Sequence, residues 1–236
     1  MNKKKLCIVA AVPGGIVSFW KTNIEKISQV FDVYVVSNFD NPKAFEGLKI
    51  KGCKSINIER RPSVRSVLKA TDKLSRYFKE QKFDGFISMS SNASLVAAIA
   101  GKRAHTPFRA RVFTGQVWCH MTGLKRYFFK TIDRFTVAMN TNILVDGRSQ
   151  QEYLIENGIL KKGQSTVLAN GSICGVDENK FAPSAEKRKE ERERLGFNDS
   201  DVIYTFMGRI NRDKGTYELL DAFNMLAKDN KNVKLM

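Results

Sequence analysis

The chain has 236 residues, 42% of them hydrophobic, which is enough for one large or two smaller α/β domains with buried cores. No run of about eighteen apolar residues occurs, so no membrane-spanning helix is expected; the four scattered cysteines (Cys7, Cys53, Cys119, Cys174) have neither CxxC nor metal spacing, which points to a reduced, cytoplasmic setting. Forty Lys and Arg against 24 Asp and Glu give a formal charge of +16, concentrated between Arg60 and Arg134, where the only acids are Asp72, Glu80, Asp84 and Asp133; nucleic acid, an anionic membrane surface and phosphorylated substrates are all open as partners.

The chain starts with Met1-Asn2-Lys3-Lys4-Lys5 and a short apolar run, Leu6–Val12, that ends in Pro13-Gly14-Gly15. This reads as a first buried strand and its loop, not as a secretory signal. Phe19–Val30 is predicted as a helix with Ile24, Ile27 and Val30 on one face, and Asp32–Ser37 as a central strand. Lys54–Ile58 is a weaker third strand. Ser63 is a predicted N-cap for a helix to Lys79, with Val64, Val67, Leu68, Leu74 and Phe78 as its apolar positions. Then come a strand at Phe83–Met89, a small-residue helix from Asn92 to Ala100 and a strand at Arg109–Phe113. A helix at Leu124–Val137, a strand at Asn142–Val145 and a helix at Gln150–Asn157 complete the series.

Such alternation implies βαβ units and a doubly wound parallel sheet. One Rossmann-like domain is expected over 1–165 and part of a second over 166–236. In the latter, a charged run (Glu186–Arg194) reads as a solvated helix and Val202–Met207 as a strand. Lys214–Lys228 reads as an amphipathic helix with Leu219, Leu220, Phe223 and Leu226 inward, and Val233–Met236 as the start of another strand. A chain that stops in mid-strand is read as cut short within its second domain.

Four segments carry candidate chemistry. Gly14 and Gly15 follow the first strand; they are either an ordinary tight turn or a place where backbone N–H groups approach a ligand closely. Arg209 and Lys214 sit between the Val202–Met207 strand and the following helix, where an α/β sheet binds ligands. Arg can clasp a phosphate in a bidentate way and Lys adds a point charge, so the pair suits a departing diphosphate; the bland reading is two solvated loop cations. Thr114, Gly115 and Gln116 follow the Arg109–Phe113 strand and face the same crevice; Trp118 beside them is either a flat face for a sugar or simply core. Lys125-Arg126-Tyr127-Phe128-Phe129-Lys130, with Arg60, Arg61, Arg65, Lys69, Lys73 and Arg76, mixes cations with aromatics as peripheral membrane elements do, or is a solvated face whose aromatics turn inward. His105 and His120 have no partners at ligand spacing, so no metal is expected.

Taken together, Gly14-Gly15, the segment Asn170-Gly171-Ser172-Ile173-Cys174-Gly175-Val176-Asp177 with Phe181 and Pro183, and Gly208-Arg209 followed by Asp213-Lys214-Gly215 resemble glycosyltransferase family 4, the retaining enzymes of the two-Rossmann GT-B fold. The stretch from Thr114 to Trp118 is similar to the subgroup that builds capsular, O-antigen and lipid-linked glycans. The resemblance covers the whole chain. It implies a nucleotide sugar, a UDP-sugar, held between two domains, with Arg209 and Lys214 on its diphosphate and Gly14, Gly15, Thr114, Gly115, Gln116, Asn170 and Gly171 lining the cleft. It implies no metal or other cofactor. The acceptor would be a polyprenyl-diphosphate-linked glycan, reached by a protein docked at the inner membrane face through its basic residues 60–134, with no nucleic acid partner.

Two departures stand out. Thr114-Gly115-Gln116 occupies the place where many members carry a donor-contacting His, and the family's paired glutamates would lie beyond Met236, so residues 1–236 alone are expected to have little or no activity. A UDP-sugar epimerase of the same architecture and a basic nucleic-acid-binding module are the alternatives. An NAD-dependent dehydrogenase fits least, because the phosphate loop lacks its third glycine and the ribose-binding acid.

Overall fold

The structure is a computed structural model that describes residues 3–59 and 63–236, with every side chain among them except that of Asp213. Arg60 and Arg61 of the basic stretch, and Met1 and Asn2, lie outside the described residues. The chain divides into two compact units, Met1–Gly175 and Val176–Met236.

The first unit is built on seven strands: β1 (Lys4–Val9), β2 (Phe31–Ser37), β3 (Gly52–Ser55), β4 (Gly85–Met89), β5 (Phe108–Phe113), β6 (Asn142–Val145) and β7 (Thr166–Val167). They pair in the order β3-β2-β1-β4-β5-β6-β7, and every pairing is parallel. All seven carboxyl ends therefore lie along one edge. The expected doubly wound sheet is present, and the reason is visible in β1. Leu6 and Ile8 enter one apolar cluster while Cys7 and Val9 enter another, so both faces of the strand are buried. On the first face lie Ile16 of α1 (Pro13–Phe19) and Ile24 of α2 (Lys21–Ile27). On the second lie Leu74 and Phe78 of α3 (Val64–Gln81) and Val96 and Ala97 of α4 (Ser91–Arg103). A third cluster joins Phe113, Ile143 and Val145 to Val137 of α5 (Gly123–Met139) and Leu154 of α6 (Arg148–Glu156).

Several expectations shift. The helix predicted over Phe19–Val30 is the shorter α2, Lys21–Ile27, and the stretch before it, expected as a loop, forms a further short helix, α1, with a break between the two at Trp20 (φ −117°, ψ 0°). The break buries the Trp20 indole while Ile16 and Ile24 both reach the sheet; Val30 lies beyond α2 and is exposed. The third strand begins two residues early, at Gly52, and ends at Ser55, although Ile56 and Ile58 are still buried. In α3 the inward stripe begins at Val67 and Ala70, leaving Val64 and Leu68 exposed. The boundary expected at 165/166 compares with a division at Gly175/Val176, since Thr166–Val167 pairs with β6 as the edge strand β7 and the chain then turns back onto the end of β6.

The second unit holds α7 (Ala185–Leu195), a parallel pair of strands β8 (Val202–Tyr204) and β9 (Val233–Leu235), and α8 (Thr216–Asp229). The charged run is a helix, capped by Ser184, but it is not wholly solvated: Arg192 is buried and donates to the carbonyl of Asp201 at 2.6 Å. The strand predicted to reach Met207 stops at Tyr204, with one further bond from Phe206 N to Met236 O, because β9 has only three residues to pair with. Two strands offer α8 a narrow surface. Leu219 and Phe223 are partly buried, whereas Leu220 and Leu226 are exposed.

Candidate functional site

In an open parallel sheet the ligand crevice lies beyond the carboxyl ends of the strands, where strand order reverses. In the first unit that point falls between β1 and β4. Gly14 and Gly15 lie there, but in the first turn of α1 rather than in a loop: Pro13 at the first helical position presets the helical φ. No atom stands within 4 Å of where a Cβ on Gly14 would be, so the space over it is open. Across the switch, Ser90, between β4 and α4, has φ 68° and ψ 144°, a conformation that side-chain-bearing residues rarely adopt. Sequence reading passed over Ser90, because nothing in residue type announces a positive φ at a serine.

Thr114, Gly115 and Gln116 emerge from the carboxyl end of β5 on the same edge. Thr114 and Gly115 are exposed and Gln116 is half-buried. Trp118 is no open sugar platform. It is 0% exposed, its ring stacks on Tyr153 at 5.6 Å, and its Nε1 donates to Asp133 Oδ2 at 2.7 Å. Asn170 and Gly171 follow β7. Asp146, at the end of β6, holds this segment: its carbonyl accepts from Ser172 N and its Oδ1 from Ile173 N, each at 2.7 Å. Asn23 Nδ2 donates to the carbonyl of Ile173 at 2.7 Å. Asp146 was another residue the sequence did not single out, since its partners lie 26 and 27 positions away.

In the second unit, Arg209 and Lys214 both fall between the end of β8 and the start of α8, as expected. Both are exposed and neither has an ion-pair partner among the described residues. Residues Arg212–Lys214 form one 3-10 turn, and Gly215 (φ 69°) leads into α8. Thr216 Oγ1 donates to the carbonyl of Asn211 at 3.0 Å and ties the turn to the helix.

The basic stretch divides into two kinds of cation. Arg103 pairs with Asp72, Arg109 donates to the carbonyls of Met139 and Thr106, and Arg111 is buried against Asp133. Arg126 and Lys130 reach Asn157 Oδ1, and Arg134 reaches the carbonyl of Gly158, so these three close the carboxyl end of α6. Partial desolvation, and then the nearby charges of Arg126 and Arg134, lower the Lys130 pKa. The cations that face solvent include Arg65, Lys69, Lys73, Arg76 and Lys79 on α3, Lys82 just after it, Lys102 on α4 and Lys125 on α5. The aromatics of α5 do not all turn inward: Leu124 is 88%, Tyr127 66% and Phe128 59% exposed, while Phe129 packs on the third cluster. Among the described residues no helix is long and apolar enough to cross a membrane.

No protein-family model matches the chain. It is similar to the capsular polysaccharide biosynthesis glycosyltransferase CapM of Staphylococcus aureus, 27% identical over 205 residues that cover 87% of this chain and 53% of CapM. It is also similar to an Escherichia coli UDP-Gal:alpha-D-GlcNAc-diphosphoundecaprenol alpha-1,3-galactosyltransferase, 22% identical over 165 residues, 69% of this chain and 41% of that protein. The chain thus spans about half the length of the curated relatives it matches. Among solved structures, Anabaena HepE, determined with UDP and glucose, aligns with a TM-score of 0.72 at 18% identity, covering 99% of this chain and 60% of HepE. UDP-N-acetylglucosamine 2-epimerase from Rickettsia bellii aligns with a TM-score of 0.64 at 15% identity, over 99% of this chain and 62% of that one. The architecture of the chain is that of the GT-B glycosyltransferases and epimerases.

Proposed function

We propose that the protein is a glycosyltransferase that moves a sugar from a nucleotide-diphosphate sugar, a UDP-sugar, to a lipid-linked or polysaccharide acceptor, with retention at the anomeric carbon, in the building of cell-surface glycans. The observation that carries this reading is the pair Arg209 and Lys214, two solvent-facing cations without counter-ions among the described residues, placed between a strand end and a helix start. Charge grows on the diphosphate as the sugar leaves, and fixed cations at that position stabilise the transition state more than the ground state. Two cations in that role make a metal ion unnecessary. Within the first unit, the open space over Gly14, the Thr114–Gln116 tip and Asn170-Gly171 are the groups assigned to the acceptor and its sugar.

The capsular and lipid-linked glycan enzymes to which the chain is similar support an acceptor carried on a polyprenyl diphosphate. Exposed Leu124, Tyr127 and Phe128 beside Lys125 support peripheral docking at the inner face of the plasma membrane, since apolar side chains flanked by cations suit an anionic lipid interface.

The test is a donor assay on the full-length protein, with UDP-galactose, UDP-glucose and UDP-N-acetylglucosamine offered alongside a short-chain prenyl-diphosphate-linked N-acetylglucosamine. The expected result is transfer from one donor with the anomer retained by NMR. Arg209→Ala and Lys214→Ala are each expected to lower kcat about 10²–10³-fold, and residues 1–236 alone to show little or no turnover. Unchanged turnover in both single variants sinks the assignment of these cations. Conversion of UDP-N-acetylglucosamine to its C2 epimer without an acceptor assigns the epimerase reaction instead.

A further inference from the structure

Three buried polar side chains lie outside the reading above. Arg111 on β5 is 2% exposed, Asp133 on α5 is 3% and Trp118 in the loop between them is 0%. Arg111 Nη2 donates to Asp133 Oδ1 at 2.6 Å, and Trp118 Nε1 donates to Asp133 Oδ2 at 2.7 Å, so both carboxylate oxygens are used. The Arg111 guanidinium also lies 3.8 Å from the centre of the Phe113 ring. Burial alone pulls the Arg111 pKa down from its ordinary value, and the Asp133 carboxylate opposes that pull.

A buried ion pair is a poor route to stability, because well-packed apolar groups of similar volume often do as well. What the cluster does provide is a fixed geometry. Its three members come from a strand, a loop and a helix that follow one another in the chain, so the middle of the loop is tied, through Asp133, to the strand before it and the helix after it. Two turn bonds, Cys119 N to Gln116 O at 3.3 Å and Met121 N to Trp118 O at 3.1 Å, tighten the segment next to the grip. Gln116 Nε2 is buried without a hydrogen-bond partner, a cost that a loop free to relax would remove.

We propose that Asp133 is a positioning residue: by locking Trp118 to Arg111 it holds Thr114, Gly115 and Gln116 in one conformation at the carboxyl edge of the sheet. What that tip contacts, the sugar-bearing acceptor, rests on the transferase reading; the lock itself does not. A binding group held in place before the ligand arrives does not have to be ordered on binding.

Trp118→Phe is the informative variant, because it removes the indole N–H and leaves the Arg111–Asp133 pair intact. Asp133→Asn is the companion, and Trp118→Phe carries the test where that companion fails to fold. In the full-length protein, Trp118→Phe is expected to speed amide hydrogen exchange over residues 114–122 roughly tenfold, with β1 and β4 unchanged. With the donor and acceptor of the assay above, acceptor KM rises by a similar factor, kcat per folded enzyme changes little, and UDP affinity is unaltered because Arg209 and Lys214 are untouched. Exchange that rises equally in β1 and β4, a loop that exchanges no faster, or a loosened loop with unchanged acceptor KM overturns the proposal. Loop exchange as expected in a wild-type protein that turns over no nucleotide sugar overturns the transferase reading and leaves the lock standing.

Discussion

Asp146 and Gly171 show how much one residue pair decides. The Asp146 carbonyl accepts from Ser172 N, which presses the chain so close that a Cβ on Gly171 would lie 2.7 Å from that same oxygen. Gly171 also has φ +99°, and Ala169 two residues before it and Ser172 next to it are held at φ 47° and 59°. Glycine is needed here for space and for backbone conformation alike. Gly171→Ala is expected to destabilise the protein by about 1–3 kcal/mol, read as a lower urea midpoint with an unchanged slope; an unchanged midpoint would show that the turn can relax. The Arg111–Asp133 pair belongs to the same scale but works differently, since it fixes a loop through a charge instead of through the absence of a side chain.

Among the helices, capping and the division of faces set the local structure. The α3 N-terminus is closed reciprocally: Ser63 Oγ accepts from Ser66 N at 3.1 Å, and Ser66 Oγ accepts from Ser63 N at 3.0 Å. Ser63→Ala is expected to cost about 1 kcal/mol and to lower Tm by roughly 2–4 °C, as measured by calorimetry. The next helix, α4, is made of small residues for a packing reason. It lies between α3 and α5 over the sheet, and a Cβ on Gly101 would run into the Phe86 ring. Helix α5 has two working faces. Inward it presents Asp133, Thr136 and Val137; outward it presents Leu124, Tyr127 and Phe128.

The whole-molecule property is charge. A formal +16 draws the protein toward anionic partners, but the structure commits Arg103, Arg109, Arg111, Arg126, Lys130 and Arg134 to internal bonds. The solvent-facing cations of α3, with Lys125 of α5, are among those a surface can feel, each worth about 1 kcal/mol at an anionic leaflet. Binding to phosphatidylglycerol vesicles is therefore expected to weaken as salt shortens the screening length to about 8 Å at physiological strength. Replacing Leu124, Tyr127 and Phe128 together with Ser should weaken it further at any salt, and phosphatidylcholine vesicles should bind poorly. Cosedimentation measures all three. Tight, steeply salt-dependent binding to DNA or RNA with no vesicle binding would instead favour the nucleic-acid alternative.

Much was legible in residue order alone. Continuous apolar runs such as Leu6–Val9 and Val33–Val36, separated by helical spacing, determine a parallel sheet buried on both faces, and the GR…DKG segment could be placed between a strand and a helix without coordinates. The cap at Ser63 was equally local. The tertiary structure alone decided the rest. Periodicity tells which way a side chain faces within its own element and says nothing of what it meets there. Arg111 meets Asp133 across 22 residues and Trp118 meets it across 15, so the identity of Trp118 as core rather than platform waited on the packing of α5 against β5. The same holds for the break at Trp20, the cradle of Asp146 and the division of the cations into bonded and free: each is set by a neighbour distant in sequence, brought near by burial of the sheet's two faces.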